Sequence, residues 1–237
     1  MARQIGDAVF DGDESIRRIF DAELLSRYSV KSYRSAATIL AERARSELDA
    51  IMAVLRGFTI SRTEIRSPGG NRMSATTRFG TLARESGFHE EVRIEADLMV
   101  KLRKGKGEKP PVIGEIVRRD FIHNHMVDFW RGRVAVDYEW NSKDQTYDRD
   151  LYAFRSFFEA GVIDVGVIVT RELSPEFFRS LGNCLDREGR ETSESVLAKF
   201  GASTTGTHKL ISRIAAGRSG GCPVLTVGIL PANISPE

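Results

Sequence analysis

The chain has 237 residues, 41% hydrophobic and 29% charged, with a mean hydropathy of −0.27, which excludes a disordered, fibrous or membrane-spanning polypeptide. Lys and Arg number 35 against 33 Asp and Glu, so the formal charge is +2 and no overall basic field marks a nucleic-acid binder, although charge can still be sorted onto one face. The two cysteines, Cys184 and Cys222, are too few for a disulfide scaffold and lack partner ligands at metal spacing, so both are expected as buried free thiols in a reducing, cytoplasmic setting.

The first third reads helical. Ile16, Phe20 and Leu24 recur every fourth residue over residues 11–28. Tyr33, Ala37, Leu40, Ala44, Leu48, Ile51 and Leu55 continue at steps of three and four, a single amphipathic helix that Gly57 would stop. This helical part, residues 1–60, is expected as scaffold or dimer-forming surface. Residues 67–71 (SPGGN) read as a loop, residues 79–85 as a short helix, residues 92–100 as a strand, and residues 101–111 (KLRKGKGEKPP) as a charged, Gly/Pro-containing tip.

Residues 126–140 carry the most information. They read as two strands turning at Arg131-Gly132. Tyr147, Leu151, Phe154 and Phe158 then space as a helix, and residues 162–170 (VIDVGVIVT) form a β-branched run suited to a strand buried on both faces. Helices follow near 175–181, 194–200 and 208–216, and a last buried strand at 223–230. A hairpin feeding strand–helix–strand units implies an α/β fold with a mixed central sheet flanked by helices. Without a repeat or a clean linker, residues 1–237 read as one domain whose α/β core covers 90–237.

Side chains alternate along the second strand of the hairpin, which puts Asp137 and Glu139 on one face. With the turn at Arg131-Gly132, Asp128 pairs with Ala135 and shares that face, about 7 Å from Asp137 at Cα. Two carboxylates at that separation can converge on one Mg²⁺, which takes one or two protein carboxylates and keeps several waters. The ion would polarise a phosphoryl oxygen and activate water. Glu139 could orient that water, and Lys143 could stabilise developing charge. The alternative is a solvated outer face with no chemistry.

The pattern Asp128, then Asp137-Tyr138-Glu139, resembles the PD-(D/E)xK nuclease site with Glu in its third position. The longer string from Val127 to Asp144, then DRDL, GVIDVGVIVTR, THKL and GGCPVLTVGI, is similar to the BglII/BamHI-like type II restriction endonucleases. The resemblance covers roughly residues 120–229. It implies a restriction-endonuclease-like fold and a homodimer that cuts palindromic double-stranded DNA with Mg²⁺. It also implies a companion DNA methyltransferase protecting the same site. Carried over, Asp128 and Asp137 bind the metal and Glu139 handles the water, with Glu115 as an assisting upstream acid and Asp120 as its rival. Asp at 137 is a departure, because the related enzymes often carry Glu there. DNA contacts are expected from Asn141, Ser142 and Lys143 and from Ser203, Thr204, Thr205, Thr207, His208 and Lys209 in a polar loop before a helix. Arg213 and Arg218 would extend that basic edge.

Two other readings remain from the sequence alone: a structure-preferring repair nuclease, and a sequence-specific DNA-binding module without catalysis. A phosphate-binding P-loop is excluded because Gly206 is followed by Thr-His-Lys. No Gly-x-Ser-x-Gly elbow and no dinucleotide fingerprint are present.

Overall fold

A computed structural model describes residues 9–68, 73–201 and 203–236. Most of the expected loop at 67–71 therefore lies outside the described residues.

The N-terminal part is more broken than its periodicity suggests. Helices α1 (Asp13–Ile19) and α2 (Ala22–Arg27) are separated at Phe20 and Asp21, whose carboxylate caps α2 by accepting from Leu24 N at 2.8 Å. The chain then runs straight into strand β1 (Tyr28–Tyr33). The single helix expected from Tyr33 to Leu55 is two, α3 (Ala36–Arg43) and α4 (Arg45–Gly57), broken at Ala44 where φ is −134° and ψ is 47°. A strand beginning at Tyr28 overrides helical spacing because it buries Tyr28 completely, with the phenol donating to Leu55 O at 2.8 Å.

Beyond β2 (Ile60–Ser61) come α5 (Arg62–Arg66) and α6 (Ser74–Glu85). Two long strands follow, β3 (His89–Arg103) and β4 (Val112–Arg131). Both outrun the sequence reading, which saw only residues 92–100 and 126–130 as extended. Their outer halves form a two-stranded ribbon exposed on both faces, so no buried face imposes a period-2 pattern there. Strand β5 (Val134–Glu139), helix α7 (Thr146–Glu159) and strand β6 (Val165–Arg171) make the expected strand–helix–strand unit. A small hairpin, β7 (Asn183–Leu185) with β8 (Glu191–Ser195), sits between α8 (Pro175–Ser180) and α9 (Val196–Lys199) and was not foreseen. Helix α10 (Thr207–Ala215), strand β9 (Val224–Ile229) and the short β10 (Ile234–Ser235) complete the chain.

The central sheet has the order β1-β9-β6-β5-β4-β3. Strands β5, β6 and β9 are mutually parallel, whereas β1, β4 and β3 join antiparallel. This is the mixed α/β sheet expected from the sequence. One face packs α1 to α6 through residues such as Leu40, Leu55, Phe58 and Phe79, and the other packs α7 and α10 through Leu151, Phe154 and Leu210. β5, β6 and β9 are buried throughout their length. Cys184 and Cys222 are free and buried, as expected.

Candidate active site

The β4–β5 turn lies one residue later than expected, at Gly132-Arg133, with Arg131 pairing Val134 and Trp130 pairing Ala135. Gly132 takes φ +54°, and a Cβ there would meet Glu47 Oε1 at 2.0 Å, so glycine at 132 sets the turn. Moving a two-residue turn by one position shifts the register by two, which preserves face parity. Asp128 therefore keeps the side of the sheet expected for it, but stands opposite Asp137 instead of diagonal to it.

The β4–β5 ladder ends at Phe129–Val136, and the strands splay beyond it. Within the splay the two aspartates replace the missing ladder bonds. Asp128 N donates to Asp137 Oδ1 at 2.7 Å, and Tyr138 N donates to Asp128 Oδ2 at 3.0 Å. Both carboxylates are thereby held by backbone. Asp137 and Glu139 are 2% and 5% exposed, because α7 covers this face. A solvated outer face is thus ruled out.

Helix α7 adds a fourth carboxylate that the sequence reading missed. Asp150 is 2% exposed and accepts from Arg149, whose Nη2 lies 3.0 Å from Asp150 Oδ1 and 3.8 Å from Glu139 Oε1. Its signal was present, since a charged residue sits one place before Leu151 on the core-facing stripe, but nothing in the sequence aligned α7 with β5. Burial raises all four groups, and neighbouring carboxylates add to the rise against the opposing pull of Arg149 on Asp128, Glu139 and Asp150. Glu139 is pushed up to about 8 and Asp150 to about 7, while Asp137 stands well above the usual carboxylate range and Asp128 above it. Glu91 is a further neighbour. The β3–β4 register sets it opposite Asp128, it adopts φ +51°, and its charge adds to the rise at Asp128.

Asp137 Oδ2, Glu139 Oε2 and Asp150 Oδ2 are buried and accept no hydrogen bond. Hard, unpartnered carboxylate oxygens held together against their own repulsion suit a divalent cation. Among the described residues no three His, Cys, Asp or Glu side chains stand ready to enclose an ion by themselves. The donor set therefore fits an ion held by one or two carboxylates and otherwise by water.

The remaining expected residues divide. Glu115 is not brought to the cluster. It lies thirteen residues before Asp128 on β4, on the order of 40 Å away along an extended strand, and pairs with Lys101 at 3.5 Å. Asp120 is likewise out on the exposed ribbon, at φ +53°. Ser142 and Lys143 do meet the 203–209 loop: Lys143 bridges Thr204, and Thr205 N donates to Ser142 O at 2.9 Å. Ser203 and His208 are exposed and Thr204 is half-buried. Thr205 and Thr207 are buried, so their side chains lie beneath the outer surface of the loop. The basic edge is internally neutralised. Lys209 pairs with Asp144 at 3.2 Å and Arg213 with Asp148 at 3.2 Å, while Arg218 stands 3.9 Å from Asp148. Beside Asp128 and Glu139 opens a cleft of about 910 Å³, lined also by Asn141, Ser142, Thr76, Arg187 and Lys199.

A mixed sheet between two helical layers, with carboxylates gathered where an antiparallel hairpin splays beside parallel strands, defines a restriction-endonuclease-like nuclease. Within that class, residues 28–229 match the family model described as restriction endonuclease BglII/BglIII, and the chain belongs to that family. It is a site-specific deoxyribonuclease, a hydrolase acting on double-stranded DNA. No curated protein matches the sequence. Family membership favours the restriction enzyme over the repair nuclease and the inert binding module. Among the described residues, no helix is long and apolar enough to cross a membrane.

Proposed function

We propose that the chain is a Mg²⁺-dependent type II restriction endonuclease that works as a cytoplasmic homodimer on a palindromic site, alongside a methyltransferase that protects the same sequence. The observation that carries this reading is the buried cluster of Asp128, Asp137, Glu139 and Asp150, with three oxygens left unpartnered beside an open cleft.

In this reading Asp128 and Asp137 hold the ion, fixed by their crossed backbone bonds. When bound, the ion supplies Lewis acidity toward a phosphoryl oxygen and toward water. Glu139 is two residues further along β5 on the same face, and its unpartnered Oε2 accepts the proton of the attacking water. Burial and then the Asp150 charge raise the metal-free Glu139 carboxyl to about 8, and a cation bound beside it would favour the ionised, proton-accepting form. Arg149, itself paired with Asp150, lies 3.8 Å from Glu139 Oε1 and offsets the charge of both carboxylates. Water attacks phosphorus, Glu139 takes the water's proton, the phosphorus–oxygen bond to the leaving sugar oxygen breaks, and that oxygen takes a proton from solvent water. Glu91, opposite Asp128, takes the assisting role that the sequence reading gave to Glu115. Asn141, Ser142, Lys143, Ser203 and His208 line the strand ends where duplex DNA lies.

The test is digestion of unmethylated phage DNA with and without Mg²⁺. Discrete, Mg²⁺-dependent fragments are expected, and an Asp137→Ala variant should bind DNA without cutting it. A smear, or cutting by that variant, would sink the reading.

A further inference from the structure

At the C-terminal end of β6 sits a guanidinium that the proposed reaction does not use. Arg171 is the last residue of β6 and is 5% exposed. Its Nε donates to Thr205 O at 2.7 Å, and its Nη2 donates to Thr204 Oγ1. The group lies 5.0 Å from the ring centroid of Phe178 and 4.9 Å from that of Phe200, and those rings stack on each other at 4.8 Å. This mount fixes the plane of the guanidinium by cation–π contact and two hydrogen bonds. Its acceptors are a carbonyl and a hydroxyl, and among the described residues no carboxylate pairs with it. Burial lowers its pKa to about 10. A buried charge without a counter-charge is costly to maintain, which points to an anion that completes the site.

The surroundings fit that anion. Arg171, Thr204, Thr205, Gly206 and His208 line a cavity of about 870 Å³, with Glu172 as the one carboxylate among its described lining residues. Thr205 is 1% exposed, yet its hydroxyl has no hydrogen-bond partner. Helix α10 starts at Thr207 on an uncapped Gly206, so its positive end lies at the same wall. The cavity lies at the same end of the sheet as the active site, on its other face. Thr170 pairs with Glu139 across β6 and β5, so Arg171, one residue further on, points to the opposite side, and the bond from Thr205 N to Ser142 O links the two regions.

We propose that this cavity binds a phosphate group, and that in the DNA complex it anchors a backbone phosphate close to the one being cut. The fork of an arginine matches two oxygens of a phosphate, and helix amides with a free hydroxyl supply further donors. The inference rests on the DNA-cleaving reading for the source of that phosphate, whereas the cavity itself is defined by Arg171.

The experiment measures affinity for mixed-sequence duplexes across a salt series without divalent cation, for wild type, Arg171→Met and Arg171→Lys. Each phosphate neutralised contributes a slope of about 0.9 in log affinity against log salt. Arg171→Met should lower the slope by about one such unit and weaken all duplexes alike, while Arg171→Lys should keep the slope. In parallel, inorganic phosphate at matched ionic strength should raise the melting temperature of wild type but not of Arg171→Met. An unchanged slope in a folded Arg171→Met protein overturns the anchor, even if phosphate alone stabilises wild type, while leaving DNA cleavage standing. No affinity of wild type for any duplex defeats the functional reading instead, and the phosphate melting arm still reads the cavity. Should Arg171→Met fail to fold, wild type that phosphate does not stabilise overturns the proposal.

Discussion

At the scale of single residues, the active site is a place where stability has been given up. Asp137 is buried, repelled by Asp150 and Asp128, and keeps one oxygen without a partner. Replacing it by Asn removes a like charge and leaves Oδ1 free to accept from Asp128 N. Asp137→Asn should therefore abolish cleavage and yet stabilise the metal-free protein by about 1–3 kcal/mol at pH 8. Thermal melting reads this as a rise of about 2–4 °C per kcal/mol for a chain of this size. A fall in melting temperature would make Asp137 a structural residue. Glu91→Gln gives a second residue-scale test. It should slow cutting while leaving DNA affinity within about twofold, whereas Glu115→Gln, out on the ribbon, should leave the cleavage rate unchanged; a gel time course separates the two.

Individual elements are held by devices with their own signatures. Helix α5 opens on a capping box in which Ser61 and Glu64 satisfy each other's backbone, and Glu64 also takes a fork from Arg78 at 2.8 Å. Burial alone would raise the Glu64 carboxyl, but Arg78, Ser74 and the Ser61 amide outweigh it and hold it down at about 2. A depressed folded value means that the unfolded chain binds the extra proton. The contribution is thus complete above the ordinary value of 4.5 and is lost as pH falls toward 2. Glu64→Gln should cost about 1–3 kcal/mol at neutral pH, and the difference from wild type should shrink below about pH 4.5 in denaturant titrations. Between β6 and α7, a Cβ on Gly166 would meet Phe154 Cδ2 at 2.1 Å. Gly166→Ala should cost about 1–3 kcal/mol by overpacking, and by displacing α7 it should also disturb Asp150. Chemical denaturation together with a cleavage assay checks both effects.

At the scale of the whole molecule, the outer ribbon of β3 and β4 stands apart from the packed layers. Met99, Leu102, Ile113, Ile116 and Phe121 are exposed there by half or more. An isolated ribbon buries little and adds little stability. Replacing residues 97–119 by a two-residue turn should shift the melting temperature by no more than about 2 °C, because surface changes stay within about 0.5 kcal/mol. A large fall would show that the ribbon packs where the fold needs it. The helical N-terminal part lies in the core against the sheet through Leu40, Leu48, Ile51 and Leu55.

The parts of this protein that were legible in its sequence are those with a repeating physical constraint. Strands buried on both faces, such as β6 within residues 162–171, announce themselves by a run of β-branched side chains. Asp128, Asp137 and Glu139 were placed on one face because alternation in a strand depends on parity alone, and parity survived a turn misplaced by one residue. Where no periodic burial exists the sequence was silent, as along the exposed ribbon. Where a weaker local pattern competed with a tertiary contact it misled, as at Tyr28 and Tyr33, which end and begin helical spacings in the sequence but belong to a strand that pairs with β9. Only the tertiary structure could decide which distant residues meet. It placed Asp150 of α7 under Glu139, Glu91 of β3 opposite Asp128, and Arg171 of β6 against the 203–209 loop, and it left Glu115 far from the carboxylates. Each of those choices depends on how elements stack, and stacking is fixed by packing across the whole chain, which no local spacing encodes.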